Sequence, residues 1–442
     1  MNQESDMALA SYRSAQATLE STDLLQDPDW IRDLRAAALG SFLSAGFPTA
    51  RRGNETWKYT NVEPISSVIF HCPEQGLKPE TKDLDSFVIH ETNWTRLVFL
   101  NGAFSSCLST PSLVNDGISV SSLANSLKSH SNILQKYLGQ LADYSGEPFT
   151  ALNTAFLHDG ALVHLAKDTR VDAPIHLLFL TNSRKSDVVT HPRVLIIAEE
   201  GSQATIVESY GSFHNERYFC NTVTEVFVDS NAEVNHYRLQ RHTNLAYQVG
   251  TTQVQLQQDS RFSSVALDLG GSLVRNNLTV LTDGEGSSCK LNGAYITNGK
   301  QHVDNQVIID HAKAHTSSRE LYKGILSGSS KAVFHGSIIV RPGAQKVDSR
   351  QEDRNLILSE DAEADVKPAF WINADDVKCG HGTASGRLDD DEVFYLKSRG
   401  LDENSAKRLL MRGFIKEVID GIQCETLKLH VNDLVDSKLE DL

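Results

Sequence analysis

Cys379-Gly380-His381 sets a thiol and an imidazole two residues apart near the C-terminal end of the chain. On an extended backbone alternate residues point to the same side, so this pair could face one soft or borderline metal ion. Two ligands do not complete a tetrahedral site, and the others would have to come from elsewhere in the chain or from another subunit. The same spacing also suits a buried cysteine beside a hydrogen-bonded histidine, and spacing alone leaves both readings open. A second grouping is His302, His311, His315 and His335. These residues either stack across neighbouring strands or scatter over the surface. His311 and His315 would share a face only on a helix, whereas Val307-Ile308-Ile309 beside them reads as a strand.

Other chemistries lack their residues. Residues 293–301 resemble a nucleotide-binding loop, but five residues separate the glycines where four are needed, and Gln301 stands in place of the Mg²⁺-binding Ser or Thr. GxSxG, HExxH and GxGxxG do not occur. Asp389-Asp390 precedes a helical pattern and reads as a cap rather than a glycosidase pair. The six cysteines, at 72, 107, 220, 289, 379 and 424, form no CxxC and no evident disulfide framework. That sparse set, with no apolar leader in the first thirty residues, leads us to expect a cytoplasmic protein. No stretch approaches 18 uncharged apolar residues, so no membrane span is expected. A net charge of −15 argues against non-specific nucleic-acid binding.

The elements that would position Cys379 and His381 fall into three stretches. Residues 1–150 read as mainly helical: Asp27-Pro28-Asp29 starts a helix whose apolar face is Trp30, Ile31, Leu34, Ala38, Phe42 and Leu43, ending near Gly46-Phe47-Pro48. Leu97-Val98-Phe99-Leu100 before Asn101-Gly102 reads as a strand entering a tight turn. Residues 151–385 are short alternating segments divided by turn clusters, the early ones roughly 30 residues apart and the later ones at about half that interval. These intervals do not match propeller blades, and a coil of stacked strands fits them best. Open strand edges would then remain only at the ends, where the helical stretches are candidate caps. Residues 386–442 are helical again, with Ala406, Leu410, Phe414 and Val418 forming an i+4 stripe that packs either on the protein's own core or on a partner.

The C-terminal run Asp375-Asp376-Val377-Lys378-Cys379-Gly380-His381-Gly382, continuing to Phe394-Tyr395-Leu396-Lys397-Ser398-Arg399-Gly400, resembles the signature of the SufB/SufD family of the SUF iron–sulfur cluster assembly system. His315-Thr316-Ser317-Ser318, Tyr322-Lys323-Gly324, Phe334-His335-Gly336-Ser337 and Asn355-Leu356-Ile357-Leu358-Ser359 carry the resemblance further, over residues 190–420 at least. Arg52-Gly53-Asn54-Glu55-Thr56-Trp57-Lys58-Tyr59-Thr60 is similar to an N-terminal motif of the SufD branch. Thr56 and Gly380 depart from the residues common at those positions. The resemblance implies a right-handed parallel β-helix core flanked by helical N- and C-terminal domains. It implies a non-catalytic scaffold that pairs with a SufB-like paralogue near the C-terminal end of the β-helix, or with itself when that paralogue is absent. Its helical C-terminus would dock a SufC-like ABC ATPase, for which Phe394, Tyr395, Leu409, Leu410 and Phe414 are candidate contacts. No permanent cofactor is implied; iron or a nascent iron–sulfur cluster would be held transiently at the subunit boundary, with His381 and Cys379 as candidate ligands. The rival readings are a primary SufB-type scaffold and a β-helix polysaccharide-active enzyme.

Overall fold

The computed structural model describes residues 3–22, 27–51, 54–73, 84–89, 93–110, 114–115 and 117–442. The chain winds as a parallel β-solenoid of about eight turns. From Arg193 onward consecutive strands alternate between an 11-stranded and a 10-stranded sheet. In the first sheet Gln203, Glu233, Arg261, Ser288, Ser317, Asp348 and Lys378 stand in register, one per coil. Each coil therefore takes roughly 30 residues, with a turn at each of its two sides. This accounts for the turn spacings in the sequence, where one or both turns of a coil are conspicuous.

One corner of the coil repeats a single backbone state. Asp168, Asn231, Asp259, His315 and Lys346 have φ between 55° and 62°, and Gly201 and Gly286 lie at 72° and 74°. Asn, Asp and Gly enter the left-handed region most readily, so the turn clusters supply the residues that reverse the chain. The amide of each corner residue is satisfied by the next coil: that of Asn231 donates to the Gln258 carbonyl and that of His315 to the Gln345 carbonyl, both at 2.9 Å. His315 is thus a corner residue.

Alternate side chains point inward and form a continuous core between the sheets, which includes Val234, Phe262, Tyr295, Phe334 and Ile338. The outer faces are covered by helices. Asp29–Ala45 begins after Pro28 and ends at Gly46, and Phe42 joins Trp57, Phe149, Phe219 and Val249 in a second core outside the 11-stranded sheet. Arg35 interrupts that helix's apolar face because its Nε donates to the Leu157 carbonyl at 2.6 Å and its Nη2 pairs with Asp27. The N-terminal motif lies across the same sheet. Arg275 stacks 3.7 Å from the ring centroid of Trp57, Thr60 donates to Asp304 at 2.5 Å, and Lys367 pairs with Glu55 at 3.1 Å. Arg52 and Gly53 lie outside the described residues.

The C-terminal helices Glu403–Ile419 and Glu425–Glu440 pack on the outer face of the 10-stranded sheet through Met411, Ile415, Val418, Val431 and Val435. The i+4 stripe expected from the sequence is only partly the buried one. Ala406 and Val418 are buried, Leu410 and Phe414 are half-buried, and Met411 and Ile415 complete the contact. The buried Lys323 anchors this face: its Nζ donates to the Phe414 carbonyl at 2.9 Å, pairs with Glu417 at 2.7 Å and lies 4.9 Å from the Phe414 ring centroid.

These helices flank the coil and do not cover its last strands, which corrects the expectation of a helical cap there. The sheets end in Glu363–Ile372 and Lys378–Gly386, each paired on one side only. Lys378–Gly386 is almost wholly exposed. At the opposite end both sheets finish in two-residue antiparallel strands, Ala103–Phe104 and Val114–Asn115, and such short edges offer little to pair with. The strand Thr95–Leu100 enters its hairpin through Asn101 and Gly102, both at positive φ.

Lys323→Met keeps the stem and removes two charge-assisted contacts, so it should loosen the docked helix by about 1–3 kcal/mol. Hydrogen exchange in 403–419 should accelerate while exchange in the strands is unchanged; equal protection in the variant would show that Lys323 does not anchor the helix.

Candidate functional site

The last strand belongs to the coil only through its register with the one before it. Ser349, Gln351, Asp353 and Asn355 oppose Cys379, His381, Thr383 and Ser385. The first four are buried, so the period of two places Cys379 and His381 on the inner face at the mouth of the coil. The expectation that both residues share one side is met. Cys379 packs against the rim of the inner core beside Val377 and Phe370. His381 is exposed and makes an edge contact with Phe370, the ring centroids being 4.9 Å apart and the planes at 88°.

Burial pushes the Cys379 thiol above its ordinary pKa, and Asp348 adds to the rise while a backbone hydrogen bond with Ser349 partly offsets it. The thiol is therefore protonated at neutral pH, and metal binding would release its proton. Among the described residues no three His, Cys, Asp or Glu side chains form a metal-binding group. Cys379 and His381 are two donors at an open edge, and any further donors would come from outside the described structure or from another chain.

An inward column links this end to deeper coils, since Cys289, Ser318, Ser349 and Cys379 stand in successive register. Ser318 Oγ is 2.7 Å from Ser349 Oγ, and His311 Nε2 is 3.0 Å from Ser318 Oγ. Of the four histidines, only His311 thus connects to the Cys379 column. His302 contacts Thr60 at 2.9 Å and His335 contacts Gln306 at 3.0 Å, on the outer face of the other sheet. The structure does not gather the four into one site.

The outer side of the terminal strand is nearly bare, with Gly380, Gly382, Ala384 and Gly386 at alternate positions. A cavity of about 650 Å³ runs along it, bounded by Arg319, Arg350, Glu352, Arg354 and residues 378–384. The arginines are held in surface ion pairs, Arg319 with Asp348 at 3.0 Å and both Arg350 and Arg354 with Glu352 at 2.7 Å. Farther along, Phe394 is 72% exposed, Tyr395 57% and Leu409 49%. Leu410 and Phe414 turn partly inward.

Sequence inspection did not identify Phe370, Ser349, Gln351 or the column beneath them. The signal was the 30-residue offset that sets 348–353 under 378–383, which emerges only once the coil period is known.

A β-solenoid with one open end, carrying a thiol and an imidazole inside its last strand, defines the class. Residues 179–414 match the family model described as the SUF system FeS cluster assembly SufBD core domain, and residues 4–177 match that of the SufBD protein N-terminal region. An iron–sulfur cluster assembly SufBD family protein of Synechocystis is 33% identical, covering 85% of this chain and 84% of that protein. Iron–sulfur cluster assembly proteins named SufD are 29% identical in Escherichia coli, covering 89% of each chain, and 27% identical in Bacillus subtilis, covering 94% and 95%. The chain belongs to the SufBD family of the SUF iron–sulfur cluster assembly system. No described helix is long and apolar enough to cross a membrane.

Because Cys379 is partly buried with a raised pKa, alkylation at pH 7.5 should be at least ~10-fold slower there than at the exposed Cys107. A mass-spectrometric time course on the native chain measures both. Comparable rates would place the thiol in solvent.

Proposed function

We propose that this chain is a SufD-type, non-catalytic scaffold subunit that joins a SufB-like paralogue edge to edge through Glu363–Ile372 and Lys378–Gly386. The observation that carries the reading is the asymmetry of the solenoid, blunt at one end and open along two long strands at the other. A long unpaired edge is normally shielded in a protein that acts alone. A second solenoid end would satisfy both edges at once and bring its own donors over Cys379 and His381. Iron or a nascent cluster is then cargo shared across the seam, which fits a chain with two candidate donors there and, among the described residues, no group of three His, Cys, Asp or Glu.

The C-terminal helices dock a SufC-like ABC ATPase in this reading. Phe394 and Tyr395, exposed on the helix Asp390–Ser398, and Leu409, exposed on a helix whose other face is buried, support it as large apolar side chains left open. Leu410 and Phe414 support it less, because both are half-buried and Phe414 packs against the protein's own core. ATP hydrolysis belongs to the partner, and its closure would shift the two solenoids against each other and open the seam. Without the paralogue, the same edges could join two copies of this chain.

His381→Ala should slow cluster formation by the co-purified assembly at least ~10-fold, with the complex intact on gel filtration. Absorbance during anaerobic reconstitution with iron and sulfide measures it, and an undiminished rate would sink the role of His381. A stable cluster on the isolated chain would instead favour a primary SufB-type scaffold.

A further inference from the structure

We infer that Glu320, Gln351 and Asp353 form a buried binding site for one divalent metal ion of the hard, oxygen-seeking class, one coil beneath the strand that carries His381. Glu320 and Gln351 are in direct register on adjacent strands, and Asp353 follows Gln351 on the same inner face. Adjacent strands stand about 4.8 Å apart and alternate residues about 6.6 Å, so the three side chains occupy one small patch of wall. All three are buried, at 3%, 1% and 0% exposure.

Their hydrogen bonding leaves a consistent remainder. Gln351 Nε2 donates to Glu320 Oε2 at 2.9 Å, and Asn355 Nδ2 donates to Asp353 Oδ1 at 2.6 Å. Asn355 is itself fixed by the Tyr295 hydroxyl, which donates to its Oδ1 at 2.6 Å. Glu320 Oε1, Gln351 Oε1 and Asp353 Oδ2 remain, each buried and each without a partner. Three acceptors with no donor among them call for a positive centre, and buried polar atoms are rarely left unmet. The bonds that occupy the other polar atoms orient the free ones, as outer partners do around metal ligands.

Glycines on both walls make room. A Cβ at Gly336, on the opposite sheet, would fall 1.7 Å from Gln351 Nε2, and one at Gly324, on the strand that carries Glu320, would fall 2.5 Å from Asn355 Oδ1. Side chains at either position would displace the residues that set the patch. An all-oxygen donor set selects Mg²⁺, Ca²⁺, Mn²⁺ or Fe²⁺ over thiophilic ions. This inference uses neither Cys379 nor His381 and stands apart from the seam.

The full chain, stripped with EDTA and titrated with Mn²⁺ under electron paramagnetic resonance, tests it. One Mn²⁺ should bind per chain. Glu320→Gln and Asp353→Asn, which keep shape and remove charge, should each weaken binding at least ~10-fold, whereas Gln351→Glu should tighten it and Cys107→Ser, at an exposed position outside the patch, should leave it unchanged. Mn²⁺ should raise the wild-type Tm and not that of Glu320→Gln, a readout that also reports whether the variant is folded. No saturable Mn²⁺, or binding kept in Glu320→Gln and Asp353→Asn, would overturn the site and leave water or protons as its occupants.

Discussion

Each coil of this protein satisfies the backbone of the one before it. The amides and carbonyls of a strand cannot be left unpaired in a packed sheet without a cost comparable to a lost hydrogen bond each. A parallel stack meets that demand by repetition: the 203–212 strand is completed by 233–241, and so on to 348–357 and 378–386. Repetition cannot meet it at the ends. The N-terminal end is resolved within the chain, by hairpins whose outermost strands are two residues long. At the other end the chain leaves its last coil and runs back along the flank, where Lys323 and the apolar wall of the sheet hold the helices. Flank and end are different surfaces, and the described C-terminal helices cover the flank.

The interior answers to a second constraint. A solenoid of two sheets has inner faces whose side chains stack in columns, so a polar residue in one coil meets its counterparts in the next. Cys289, Ser318, Ser349 and Cys379 form one such column, and Glu320, Gln351 and His381 another. Buried polar groups persist only when bonded, and here they bond along the columns and to His311 and Asn355. The inner glycines follow from the same demand. Gly293, on the neighbouring strand, leaves room for the ring of Tyr322, and Gly336, on the opposite sheet, for the amide of Gln351. Cys379 and His381 are the last members of their columns, at the open end.

Much of this was legible in residue types. Turn clusters at regular intervals give the coil, and Pro28 and Gly46 give the bounds of the second helix to within a residue. The i, i+2 relation of Cys379 and His381 needs only an extended backbone. What was not legible depends on which coil lies over which. The i+4 stripe of the helix Glu403–Ile419 turned out rotated, because the sheet surface receives Met411 and Ile415 while Phe414 is drawn to Lys323. His302 and His311 lie at even and odd positions of one strand and so face opposite sides, while His335, on the next strand in register with Gln306, faces outward with His302. Whether terminal helices cap an end or clothe a flank is decided by tertiary packing, to which helical periodicity is blind.

The composition of the terminal strand sharpens the point. Lys378-Cys379-Gly380-His381-Gly382-Thr383-Ala384-Ser385-Gly386 contains three glycines and one β-branched residue, a poor strand former by intrinsic preference. Its outer positions carry no side chain larger than alanine between Lys378 and Gly386. Such a segment is extended because nine register pairs with 348–356 impose it, from one side only. Glycine costs a strand conformational entropy, yet on its outer side it lets another backbone approach closely. Bare outside, polar inside and paired along one edge, this strand gains little from its own chain, and its Cys379 and His381 are placed by the coil beneath, with the core rim and the Phe370 ring as their side-chain contacts.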